Sequence, residues 1–186
     1  MAAILAAAPE SDVLVGFGEE MLSEPGTAEQ ALLGRVDRAE ASMTTLQTSV
    51  HIPHPPEVVW SVLTAGADWK HWNPTQPGLR GTIEEGASGR IALRLARWTL
   101  WAPITFQRVS PGRALFWQGG VRHLLYAVHG FELRSDDAGT QVMHIEHFTG
   151  VIPALLGALL GRMLAPMYQA TNDGLLARAA VVAAQR

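Results

Sequence analysis

The sequence contains no cysteine. That absence removes disulfides, thiolate nucleophiles and sulfur-ligated metals together, and it fits a reducing compartment, so the expected location is cytoplasmic. Charge is sparse as well: 17% of residues are charged, 14 basic against 17 acidic, for a formal net charge of -3. The charges form no blocks, so nothing favours the counterion release that rewards nucleic-acid binding, and neither DNA nor RNA is expected as a partner. Also missing is a clean apolar run of the ~20 residues that a membrane span requires. The strongest candidate, Val151 to Met167, is interrupted by Pro153, Arg162 and Pro166. It reads as a helix covering a core, and no integral membrane segment is expected. The start, Met1 to Pro9, lacks a basic n-region and is followed at once by Glu10 and Asp12, unlike an export signal. There is no phosphate loop, dinucleotide glycine fingerprint, His-Glu-x-x-His or glycine-serine nucleophile elbow. Covalent catalysis therefore has no obvious agent, and no cofactor or metal is expected.

What is present is apolar, at 48% of residues, far from the composition of a disordered chain. A chain of 186 residues suits one domain, which at this size hides roughly two-thirds of the surface exposed on unfolding. Residues 1–43 mix Gly-, Pro-, Glu- and Ala-rich pieces with one short helical prospect, Thr27 to Ser42, and read as a weakly ordered extension. The folded unit is expected to begin just after Met43, which makes Met43 a candidate translation start.

From Thr44 onward, Leu46, Thr48, Val50 and Ile52 alternate with Thr45, Gln47, Ser49 and His51, the period of a half-buried strand. Pro53, Pro55 and Pro56 end that ladder, and Pro56 suits the first turn of a helix carrying Val58, Val59, Val62 and Leu63. Trp69, Trp72, Asn73, Pro74 and Pro77 predict an irregular loop. Strands are predicted over about 78–84, 90–97, 99–109, 113–119, 124–134 and 140–149, joined by links too short for crossover helices. The sheet should be antiparallel and the class α+β. A last helix is predicted from Pro153 to about Val182, bent at Pro166, with a core stripe of Leu156, Leu160, Met163, Met167 and Thr171 widened by Leu155, Leu159 and Leu164.

Several pieces stand in a telling order: Pro56-Glu57-Val58-Val59-Trp60, Trp72-Asn73-Pro74, Pro111 to Trp117, His129-Gly130-Phe131-Glu132-Leu133, Glu146-His147-Phe148-Thr149-Gly150, and Met167 to Arg178. Together they resemble the START-like (SRPBCC) superfamily and its polyketide cyclase/dehydrase-like subgroup, with the domain at 44–186. The resemblance implies a helix-grip fold, in which a curved seven-stranded antiparallel sheet wraps around a long C-terminal helix. It also implies an enclosed cavity for a small hydrophobic molecule such as a lipid or polyketide.

The richest polar cluster is His144, Glu146 and His147, with His129 on the preceding strand. Alternation sets Val142, His144, Glu146 and Phe148 on one face and Met143, Ile145 and His147 on the other, without saying which is inside. The resemblance implies that Phe148, Phe131 and Leu133 face the cavity, which turns His144, Glu146 and His129 inward and His147 to solvent. A carboxylate beside two imidazoles suits general acid/base work in an aldol-type cyclisation or dehydration. The same groups equally satisfy one another as a polar cavity end without turnover. Trp117, Phe131, Phe148, Met163 and Met167 are the candidate ligand-binding residues, with core packing as the competing role for Trp117 and both methionines. Trp98 and Trp101 either line a cavity mouth or cap the sheet. Arg90, Arg94 and Arg97 mark a solvated face. Two functions follow: a carrier of a small hydrophobic molecule, or a cofactor-independent cyclase/dehydratase of the polyketide cyclase/aromatase type. A protein-interaction module is a third, with no exposed motif behind it, and oligomeric state is not encoded legibly.

Overall fold

The computed structural model describes residues 14–16 and 43–185. In chain order these form β1 (Leu14–Gly16), β2 (Met43–Ile52), α1 (Pro56–Thr64), a 3-10 turn (Gly66–His71), β3 (Gly78–Gly81), β4 (Ser88–Leu95), β5 (Trp98–Ser110), β6 (Ala114–Val121), β7 (Leu125–Asp136), β8 (Gly139–Thr149) and α2 (Val151–Ala183). The strands make one antiparallel sheet in the order β1-β2-β8-β7-β6-β5-β4-β3. Strands β2 to β8 are the seven expected from the sequence. The added edge strand β1 pairs with Thr45 to Gln47 of β2. It lies inside the segment read as weakly ordered, and the rest of that segment before Met43 falls outside the described residues.

The connections give the sheet two unlike ends. The β4–β5 turn, the β6–β7 turn and the β8–α2 junction share one end, here called the rim, while the links from β2 to α1, β3 to β4, β5 to β6 and β7 to β8 occupy the other. At the rim the turns are tight enough to force Ala96 and His123 to positive φ, at 51° and 65°. Gly150, at φ 112°, makes the corner into α2. A side chain there would meet the Leu124 carbonyl oxygen at 2.7 Å. The first amides of α2, normally unpaired within the helix, donate instead to the β6–β7 turn: Val151 N–H to His123 O at 3.0 Å and Ile152 N–H to Leu124 O at 3.1 Å.

The main core fills the space between the concave sheet face and the two helices. Pro56 opens α1 as its first helical residue, and Val58, Val59, Val62 and Leu63 are buried. They pack with Trp69, Phe106, Leu115, Trp117, Phe131 and Leu175. Each such fully buried side chain contributes about 1.5–3 kcal/mol of hydrophobic stabilisation. The large indole of Trp69 is tolerated in the interior because its N–H donates to Leu63 O at 3.0 Å.

The predicted face of the last helix needs correction. Its buried stripe is Pro153, Gly157, Gly161, Tyr168, Thr171, Asn172, Leu175 and Ala179, not the Leu156–Met163–Met167 line. Met163 and Met167 are 60% and 38% exposed, so neither lines an enclosed pocket. The reason is close approach. A Cβ at Gly157 would lie 2.6 Å from Thr44 Oγ1, so glycine there lets the helix backbone settle on β2 and turns the leucines and methionines away from the sheet. Apolar residues surround the first half of α2, and hydrophobic period alone does not pick the inner face.

Candidate functional site

Along β8, burial alternates strictly and places Thr140, Val142, His144, Glu146 and Phe148 on the concave side. His147 lies on the outer face, where its Nδ1 meets Thr45 Oγ1 at 3.0 Å. The parity expected for these residues therefore holds. His129 stands opposite Glu146 in the β7–β8 register, Trp117 stands opposite His129 in β6–β7, and Phe131 opposite His144. One patch of sheet thus gathers Trp117, His129, Phe131, His144 and Glu146, all buried. Phe148 lies further toward the rim and clusters with Tyr168 and with Leu46, which stands opposite Glu146; Leu125, Ala127 and Leu164 pack against them.

The rings pack in direct contact. His144 is held between Phe131 and Tyr168, with centroid separations of 4.4 and 4.3 Å and near-parallel planes, and His129 stacks on Trp117 at 4.8 Å. Trp117 therefore faces a histidine, and the competing core role describes its position.

Hydrogen bonds order the protons. Asn172 of α2 donates through Nδ2 to Thr48 Oγ1 at 2.9 Å, which turns its Oδ1 toward His144 Nδ1 at 3.1 Å. His144 Nδ1 must then carry the hydrogen, leaving Nε2 as an acceptor. The Nε2–H of His129 supplies that bond at 2.9 Å. Burial holds the His144 pKa well below 6.5, the nearby charge of His129 adds to this, and the Asn172 hydrogen bond opposes it. His144 is thus a neutral relay whose tautomer is fixed from α2.

His129 Nδ1 faces Glu146 Oε1 at 3.3 Å. The contact is an ion pair whenever the imidazole is protonated. Gln76 Nε2 and Tyr168 Oη both lie 3.5 Å from the same nitrogen. Gln76 is delivered by the Trp72-Asn73-Pro74 loop, where Asn73 Oδ1 accepts from the amides of Thr75 and Gln76 at 3.1 and 2.9 Å. Thr48, Gln76, Tyr168 and Asn172 were not singled out from the sequence. For Tyr168 and Asn172 the signal was present: they lie four apart and continue through Leu175 to Ala179 as one helical face.

No cluster of three or more potential metal ligands occurs among the described residues. The imidazoles of His129 and His144 are joined Nε2 to Nε2 by a hydrogen bond, and Glu146 meets His129 at its other nitrogen.

Residues 43–180 match the family described as polyketide cyclase / dehydrase and lipid transport. The chain belongs to that family. Its fold is similar to that of solved structures at low sequence identity. One is a protein of unknown function from Staphylococcus aureus, 13% identical with a TM-score of 0.62, covering 77% of this chain and 97% of that one. Another is an aromatase/cyclase from Streptomyces sp. R1128, 16% identical with a TM-score of 0.56, covering 74% and 93%. A third, from Rhodobacter sphaeroides, is 15% identical with a TM-score of 0.60, covering 91% and 99%. No curated protein matches the chain. Family and fold together give a helix-grip architecture suited to hydrophobic ligands.

Proposed function

We propose that the protein binds a small apolar molecule carrying one hydrogen-bonding group, lodged between the concave sheet face and α2. The Glu146–His129 pair supports this reading, because it stands at the boundary between a saturated polar relay and an apolar cluster. On its inner side His144, Asn172 and Thr48 are already hydrogen-bonded to one another. Toward the rim lie Phe148 and, opposite it, Ala127, in one cluster with Leu46 and Leu164. A hydroxyl or carbonyl arriving from that side meets His129 Nδ1 and Glu146 Oε1, 3.3 Å apart, while the ligand's apolar remainder contacts the cluster. Native mass spectrometry of protein purified from its own host tests this. A co-purifying small molecule that Glu146→Gln and His129→Gln release supports it; protein that carries no such molecule, and shows no thermal shift with apolar alcohols or ketones, contradicts it.

The same pair favours a second reading, an acid/base catalyst of the cyclase or dehydratase kind, in which Glu146 and His129 exchange a proton with a bound carbonyl. Recovery decides between them: ligand returned unchanged after incubation identifies a carrier. A converted product, lost in Glu146→Gln while binding persists, identifies an enzyme.

A further inference from the structure

We infer that the rim is a docking surface for an anionic phospholipid bilayer. Three chain segments converge there by topology, and each exposes large apolar side chains. The β4–β5 hairpin exposes Leu95, Leu100 and Trp98, the last at 62%; the β6–β7 turn exposes Val121 and Leu124; and the first half of α2 exposes Leu155, Leu159 and Met163. Scattered exposed leucines are ordinary, but a concentration at one end of a chain marks an interaction site.

Charge identifies the partner. The chain has no acidic residue between Glu85 and Glu132, and none between Glu146 and Asp173, the two stretches that supply all three rim segments. Those segments carry Arg94, Arg97, Arg122 and Arg162, all exposed. None forms an ion pair with a described carboxylate. Glu57, Glu84, Glu85, Glu132, Asp136 and Asp137 sit on elements at the opposite end. Those carboxylates are interspersed with Arg80, Arg90, Arg108, Arg113 and Arg134, so what distinguishes the rim is arginine without an acidic residue in its three segments, beside exposed apolar side chains. A protein partner needs shaped complementarity, whereas a mixture of arginines with exposed Trp, Leu and Met suits the interfacial zone of a bilayer, where aromatic and aliphatic groups insert and arginines meet phosphates. A cleft of about 320 Å³ opens at the same end, lined by Arg122, His123, Tyr126, Thr149 and Gly150. Arg97 lies over Trp98 at 5.0 Å and Arg122 over Tyr126 at 5.5 Å, so cation and ring are presented together.

This inference does not depend on which ligand is bound inside. The full chain should co-sediment in low salt with vesicles of equal parts phosphatidylglycerol and phosphatidylcholine, release in high salt, and ignore vesicles of phosphatidylcholine alone. Arg97→Glu combined with Arg162→Glu should weaken binding by on the order of tenfold or more, since each arginine near an anionic surface counts for roughly that scale together with its neighbour. Leu155→Ser with Leu159→Ser should do likewise. Arg134→Glu, at the opposite end, should change nothing. All replaced side chains are exposed, and circular dichroism verifies that the variants fold. Failure of the full chain to sediment with anionic vesicles overturns the proposal, whether a second copy or the acidic residues of segment 17–42 occupy the face. Sedimentation unaffected by both double variants overturns it too, as does a solution dimer that the same variants dissociate without any vesicle binding.

Discussion

Lowering the pH from neutrality toward about 5 puts the buried relay under a load whose size follows from one residue. His144 is 1% exposed, stacked between Phe131 and Tyr168, with both ring nitrogens hydrogen-bonded. Its pKa is held well below 6.5, chiefly by burial and then by the charge of His129. In the unfolded chain the imidazole returns to its ordinary value. Between that value and the lower folded one, the unfolded state therefore binds one more proton, and stability rises with pH. The contribution is full above pH 6.5 and is lost as the pH falls below it. One proton corresponds to a slope of ~1.4 kcal/mol per pH unit, so descending from about 6.5 to about 5 removes roughly 1.5–2 kcal/mol. Against a typical total of about 5–15 kcal/mol that is readily measured. Urea unfolding of the wild type and His144→Gln across this range isolates the effect, because the surface carboxylates titrate equally in both. A wild-type midpoint that stays level below pH 6.5, or a variant with an undiminished slope, refutes the account of His144 as a neutral buried histidine.

Three further outcomes are expected. Asn172→Ala removes the partner of both His144 Nδ1 and Thr48 Oγ1 and should cost about 2–4 kcal/mol in chemical denaturation, since each buried group left unsatisfied costs about 1–3 kcal/mol. Gly174→Ala should lower the melting temperature even though alanine gains about 1 kcal/mol of helix propensity, because the new Cβ runs into the backbone carbonyl of Trp72; a rise would show that the α2–loop contact yields freely. Glu132→Gln, which loses ion pairs to the exposed Arg108 and Arg134, should change stability by less than about 1 kcal/mol in the same urea assay.

The sheet was legible because its strands carry one buried face. In β8 burial alternates strictly, so a slip by one residue would have buried Met143, Ile145 and His147, and the pattern itself reduced the register to two choices. The turns were equally explicit, from Ser110-Pro111-Gly112 to the Asp136–Gly139 corner. The final helix was not. Leu155, Leu156, Leu159, Leu160, Met163 and Leu164 surround its first half, and a stripe chosen by hydrophobicity selects the wrong side. The decisive residue was the unobtrusive Gly157, whose meaning depends on how near β2 comes. Asn172 was hidden for a related reason: a polar residue in a helix reads as surface unless the partner across 124 residues, Thr48, is known. Strand β1 has only three residues, too few for periodicity to register.

Position along β8 ties the inner pair to the rim. Glu146 precedes the end of the strand at Thr149 by three residues, which at about 3.4 Å per residue sets the polar pair ~10 Å below the rim. Phe148 and Ala127, opposite each other, occupy the interval. A ligand anchored at Glu146–His129 thus keeps an apolar tail of about that length inside the protein, and anything longer emerges at the rim beside Tyr126 and Thr149. Affinity should accordingly rise with tail length in a series of primary alcohols, by about 0.8 kcal/mol or roughly fourfold for each buried methylene, and level off once the tail spans the interval. Isothermal titration in the absence of vesicles measures this directly. If affinity keeps climbing well beyond that length, the tail runs along a longer internal path, and if it never depends on length, the apolar cluster beside the pair is packing and not a binding surface.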